Sequence, residues 1–163
     1  MTLSFALTLK QIEESDAFKN FKEKNEEAYL CAGFFIIDYQ AGKDQQQLDY
    51  SLKNGKIFTF LLDKEVQFKE AETIKTEKLP KISSSIKVDL AEVEEIVGKK
   101  LKDDKTKINK IIAVLQKDKD KEIWNLSCMM EGFGILQVHI DAESGEVLKF
   151  EKRNMFDFVK QIK

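Results

Sequence analysis

Among the side chains that could do chemistry, the chain offers a single histidine, His139, and two cysteines, Cys31 and Cys128. A Cys–His pair would be the natural nucleophile and base. His139 and Cys128 lie close in sequence, in two runs that alternate apolar and polar residues. Trp124, Leu126, Cys128 and Met130 alternate with Asn125, Ser127 and Met129, and Leu136, Val138 and Ile140 alternate with Gln137, His139 and Asp141. Period-two alternation marks half-buried strands whose successive side chains point to opposite faces. If Cys128 shares the core face with Leu136 and Val138, His139 points the other way, towards Ser127. The cysteines have neither CxxC nor metal-ligand spacing and sit in apolar surroundings, so they read as reduced core residues.

The carboxylates offer no better centre. Glu13-Glu14, Glu26-Glu27 and Glu94-Glu95 are adjacent pairs, which do not converge on one helix face. Asp103-Asp104 lacks the ligand-rich loop of a calcium site. Gly132-Phe133-Gly134 lies between strands, with no helix N-terminus behind it to hold a phosphate. The reading is therefore a non-enzyme with no catalytic, metal or cofactor residues. The candidate partner-binding residues are apolar ones in turns or at wetter strand positions: Met129, Phe133 and Ile57.

The elements that must position them follow from composition and period. The chain has 163 residues, 42% of them hydrophobic, with twelve Phe. Its 27 basic and 29 acidic side chains leave a net charge of −2, which predicts no global attraction to nucleic acid or anionic membrane. The alternating charges of Lys117 to Glu122 read as a solvated turn. No stretch approaches the roughly 20 apolar residues of a membrane span. The N-terminal ten residues lack a positive leader region, so a soluble, cytoplasmic protein is expected, although an exported chain trimmed of its signal would look the same. Leu3, Phe5, Leu7 and Leu9 alternate there, which predicts a strand.

The segment 73–87 holds the only proline, Pro80, and three consecutive serines, and reads as a linker between units 1–72 and 88–163. In the first unit Ser15 caps a short helix carrying Phe18 and Phe21. Strands are expected at Tyr29–Tyr39, with Gly33 a bulge or bend, and at Gln46–Lys53, Lys56–Leu62 and Val66–Glu70. Asn54-Gly55 is the hairpin signal between the second and third. In the second unit Asp89 caps a helix to about Leu101, and Ile108–Gln116 is a strand. Three more strands run from Ile123 to Glu151, the last pair joined by an Asp141–Gly145 turn. Met155, Phe158, Val159 and Ile162 predict a short C-terminal helix. The run Leu48–Phe68 is similar in pattern to Trp124–Phe150, as a duplicated unit would be.

The second unit resembles the PepSY domain family. Val138-His-Ile-Asp141-Ala-Glu-Ser-Gly145-Glu-Val147 stands where that family carries its Asp-x-x-Thr-Gly turn, with Ser144 for Thr, and the Trp124 strand stands where it places an aromatic residue. The resemblance implies an α+β protein of two tandem cystatin-like units, each a helix packed on an antiparallel meander sheet. It also implies a non-catalytic protein- or peptide-binding module, a protease inhibitor or regulator in the family's usual role. Two alternatives stand beside it: a small-ligand carrier or unrecognised enzyme using a cavity between helix and sheet, and a structural or oligomerisation module.

Overall fold

Leu7 shows why the N-terminal segment is not a strand. In the computed structural model, which describes residues 3–70 and 79–154, Leu7 is 54% exposed while Phe5, Thr8, Leu9 and Ile12 are buried. That spacing of three and four is helical. The segment forms α1, Phe5–Glu13, whose N-cap Ser4 accepts a hydrogen bond from the Leu7 amide. The expected strand is thus corrected: period two and period 3.6 coincide over so short a run, and the cap decides. The second helix, α2 (Asp16–Lys24), follows at once, capped by Ser15 and burying Phe18 and Phe21.

Four strands come next: β1 (Tyr29–Asp38), β2 (Gln45–Ser51), β3 (Ile57–Leu62) and β4 (Val66–Glu70). Helix α3 (Leu90–Lys100) then precedes β5 (Ile108–Asp118), β6 (Lys121–Met130), β7 (Gly134–Asp141) and β8 (Val147–Asn154). All eight pair antiparallel in one sheet, ordered β4-β3-β2-β1-β5-β6-β7-β8. The expected C-terminal helix lies outside the described residues.

This architecture corrects the expectation of two tandem cystatin-like units, each with its own sheet. β1 and β5 pair from Gly33 with Leu115 to Asp38 with Lys110, so the sheet is continuous. The core is continuous as well: Phe5 of α1 meets Phe35 of β1 and Trp124 of β6, with ring centroids 6.4 Å apart in each case. The physical reason is edge satisfaction. Separate units would leave β1 and β5 as long apolar edges with unpaired backbone groups. Alternation within a strand says which side chains are buried, not which edges meet.

The bulge in β1 is also displaced from its expected place. Register shifts between Leu30 and Ala32, at Cys31, while Gly33 pairs regularly with Leu48. Gly33 answers a packing need instead, since a Cβ there would lie 3.0 Å from the Phe35 ring. The hairpin at Asn54-Gly55 forms, but as a longer loop than the two-residue turn: Gly55 alone takes positive φ (86°), and its amide donates to the Leu52 carbonyl while the Leu52 amide donates to the Lys56 carbonyl.

The Asp141–Gly145 turn closes the β7–β8 hairpin through its own side chain. Asp141 accepts from the amides of Glu143 (2.8 Å) and Ser144 (3.2 Å), and Gly145 donates to the Asp141 carbonyl. These amide bonds, helped by Lys121, hold the Asp141 carboxyl below its ordinary range. A depressed folded value means the contribution is present above the unfolded value and lost as pH falls through the folded one. Gly145 sits at φ 81°, and a Cβ there would meet Ile96 and Val88 only at 3.6 Å, so the backbone rather than crowding forbids a side chain. Gly145→Ala is expected to destabilise by about 1 kcal/mol or more. Asp141→Asn is expected to cost about 1 kcal/mol at neutral pH and nothing once the wild-type carboxyl is protonated. Urea unfolding at neutral and strongly acid pH checks both.

Candidate functional site

The two faces of the sheet differ in what covers them. One carries Leu48, Tyr50, Phe35, Ile37, Ala113, Leu115, Trp124, Leu126, Val138 and Ile140, all part of the main core with residues of the three helices. The other face carries the alternate residues, and no described helix packs on it.

The register gives the layout of that helix-free face. One row runs Leu61, Gln47, Phe34, Val114, Asn125, His139, Lys149 across β3 to β8. The next runs Gln45, Ile36, Ile112, Ser127, Gln137, Glu151 across β2 to β8. At the centre, on β1 and β5, lies an apolar stripe of Phe34, Ile36, Ile112 and Val114, each half-buried by its neighbours. Amide and hydroxyl side chains border it on both sides: Gln45 and Gln47 on β2, Asn125 and Ser127 on β6. Phe34, Ile36, Ile112 and Val114 were not singled out from the sequence. The signal was there, because YLCAGFFIIDY and INKIIAVLQ are apolar at both parities, and such strands need both faces covered.

The residues that were singled out do not converge. Met129 is half-buried on this face, in register with Lys110 and Ile135. Ile57 is 6% exposed at the far end of β3, opposite Ser51. Phe133 lies in the 3-10 turn Glu131–Phe133 that joins β6 to β7. These positions mark the rim of the sheet and not one site.

The ionisable groups of the face are tuned by burial. Asp49 accepts from Thr59 Oγ1 at 2.8 Å and from Gln47 Nε2 at 3.3 Å, yet burial still raises its carboxyl above the ordinary range. The Cys31 thiol donates to the Asp49 carbonyl, and burial with the nearby Asp49 charge pushes it up to about 12. Burial likewise pushes Cys128 up to about 12. A thiol so raised is protonated and a poor nucleophile. Cys128 pairs with Leu136 on the core face, while His139 pairs with Asn125 and Lys149 on the other, so the two are separated by the sheet. Burial, then Lys149, lowers the His139 imidazole, against a smaller opposing pull from Asp118. Among the described residues no three His, Cys, Asp or Glu side chains gather as a metal site would need. No described helix is long and apolar enough to cross a membrane.

A cleft of about 470 Å³ opens on the helix side, floored by Leu9, Phe18, Leu30 and Tyr50. Two of its polar side chains, Tyr50 and Lys22, are engaged by the protein itself. Tyr50 donates to Glu13 at 3.3 Å, and Lys22 donates to the carbonyls of Glu26 and Ala28 at 2.8 and 2.6 Å. A small ligand entering there would have to displace these bonds.

No family model matches the chain, and no curated protein does. Among solved structures, a chain from Clostridium difficile 630 described as a candidate lipoprotein is similar with a TM-score of 0.56 and 17% identity. The similarity covers 85% of this chain and 91% of that one, so most of the fold is shared. At that identity the likeness speaks for the fold alone.

Proposed function

We propose that this protein is a non-catalytic binding module that receives a protein or peptide on the helix-free face of its sheet. The observation that carries the reading is the stripe of Phe34, Ile36, Ile112 and Val114, bordered on both flanks by amide side chains. An apolar centre supplies the area-dependent attraction, and a rim of neutral hydrogen-bonding groups supplies register. The chemistry of the face points the same way. Its thiol is raised and buried, its imidazole faces Lys149, and its Asp49 carboxyl is held by Thr59 and Gln47. The PepSY resemblance of the Val138–Val147 turn agrees with such a module, and regulation of a protease is its specific form.

Selection of displayed peptides on the wild-type protein, with the double variant Ile36→Lys, Ile112→Lys as comparison, tests this. Peptides with alternating apolar residues are expected to be enriched and to bind the variant at least ~10-fold more weakly, a loss of about 1.4 kcal/mol. Enriched peptides that bind both proteins equally would place binding elsewhere. A panel of thermolysin-type proteases, assayed with both proteins, examines the regulatory form: inhibition by the wild type that the variant lacks is the expected result.

A further inference from the structure

We infer that the helix-free face is self-complementary, and that its partner is a second copy of this chain, stacked face to face as a sheet sandwich. The inference rests on the reading of that face as a binding surface and names its occupant.

The argument is one of symmetry. β1 and β5 are the two central strands of the eight, with β2 and β6 flanking them. Consider a two-fold axis between two stacked copies, parallel to the strands and midway between β1 and β5. It places β1 of one copy over β5 of the other, and β2 over β6. Rows are preserved. Phe34 then faces Val114 of the second copy, and Ile36 faces Ile112, because each pair shares a row within one chain. By the same rule Gln47 faces Asn125 and Gln45 faces Ser127, since they occupy matching rows of β2 and β6. Apolar meets apolar and amide meets amide or hydroxyl, each contact made twice, as an isologous interface requires. Aligned sheets pack about 10 Å apart at roughly −30°, which leaves the four central strands in register near the axis.

The edges support the same arrangement, and the area bounds it. The four central strands at about 4.8 Å spacing with rows over roughly 20 Å give on the order of 400 Å² per copy and the whole eight-strand face about 800 Å², so a contact of standard size draws on the flanking strands as well. The competing mode, joining sheets edge to edge, is opposed by the edge strands. β4 ends in Lys69 and Glu70, and β8 carries Lys149, Glu151, Lys152 and Arg153. Charged edges disfavour strand addition.

Sedimentation equilibrium of the full chain at roughly 100 μM should report twice the chain mass of 18.9 kDa. Ile36→Lys, Ile112→Lys should sediment as a monomer while keeping the wild-type far-ultraviolet circular dichroism and cooperative unfolding. Should that variant lose its fold, Asn125→Lys with Gln47→Lys puts four like charges around the same axis without touching the stripe. A cross-link reads the geometry directly. When the single variants Gln47→Cys and Asn125→Cys are mixed, a short bismaleimide should link them to each other faster than either links to itself. A monomeric wild-type chain at that concentration overturns the inference, as does a dimer unaffected by the lysine variants or self-links that outpace the mixed one. Failure here is separable from failure of the binding-module reading. A monomer that still loses selected peptides on Ile36→Lys, Ile112→Lys substitution retains the module and dismisses the second copy.

Discussion

Trp124→Ala is expected to cost about 4 kcal/mol, the range found when a large aromatic is cut from a packed core. Trp124 is fully buried, with its ring against Phe5 at 6.4 Å and Phe35 at 5.8 Å. Its indole N–H donates to the Val88 carbonyl at 2.7 Å. Those three partners belong to α1, β1 and the segment leading into α3, so the side chain ties β6 to elements from the N-terminus to the middle of the chain. Alanine would open a cavity beneath all of them and strand a buried carbonyl. Since a domain of this size holds roughly 5–15 kcal/mol in total, much of the stability would go. Trp124→Phe separates the two causes: the ring stays, the hydrogen bond goes, and the expected loss is about 1–2 kcal/mol. Trp124 is the only tryptophan, so urea unfolding must be followed by far-ultraviolet circular dichroism.

Asp89→Ala is expected to cost about 3 kcal/mol, more than one helix cap is worth. The Asp89 carboxylate serves two helices. It accepts from Leu90 at the start of α3 (2.6 Å) and, 84 and 83 residues away, from the amides of Phe5 (2.7 Å) and Ala6 (3.0 Å) at the start of α1. Glu92 closes the capping box by accepting from the Asp89 amide at 3.1 Å. One anion thus meets the positive ends of two helix dipoles. Removing a cap costs about 1 kcal/mol per helix, and unpairing part-buried amides from a charged acceptor adds a similar amount. Asp89→Asn keeps an acceptor oxygen without the charge, so about half the loss is expected. If Asp89 acted on α3 alone, Ser4→Ala and Asp89→Ala would add. Coupling between them in a double-mutant cycle, through the Ser4 hydroxyl's bond to Asp89 (3.3 Å), is the signature of the shared cap.

These two residues show where sequence reading stops. Trp124 was legible as a strand residue on a packed face, and Asp89 as the cap of the helix that follows it. Neither Trp124's bond to Val88 nor Asp89's grip on α1 has any local signature, since both join residues far apart in the chain. For α1 the local signal is ambiguous, because an alternation of four apolar residues does not separate a strand from a helix without the Ser4 cap geometry. The stripe of the helix-free face was missed for a related reason. Its four residues lie on two strands that are adjacent only because β1 pairs with β5.

The sequence by itself determined the local grammar: the ends of β1 to β5 to within two residues, the run of three further strands, helices α2 and α3, the Asn54-Gly55 and Asp141–Gly145 turns, and the parity that sets His139 apart from Cys128. Those features depend on period, capping and the backbone freedom of glycine, which neighbouring residues encode. Only the tertiary structure decided that the strands form one sheet instead of two. It alone decided that the helices share a face, and that Phe34, Ile36, Ile112 and Val114 meet on the other. Which strand edges join is settled by the competition to satisfy backbone hydrogen bonds and bury apolar area across the whole chain, and no run of residues carries that choice alone.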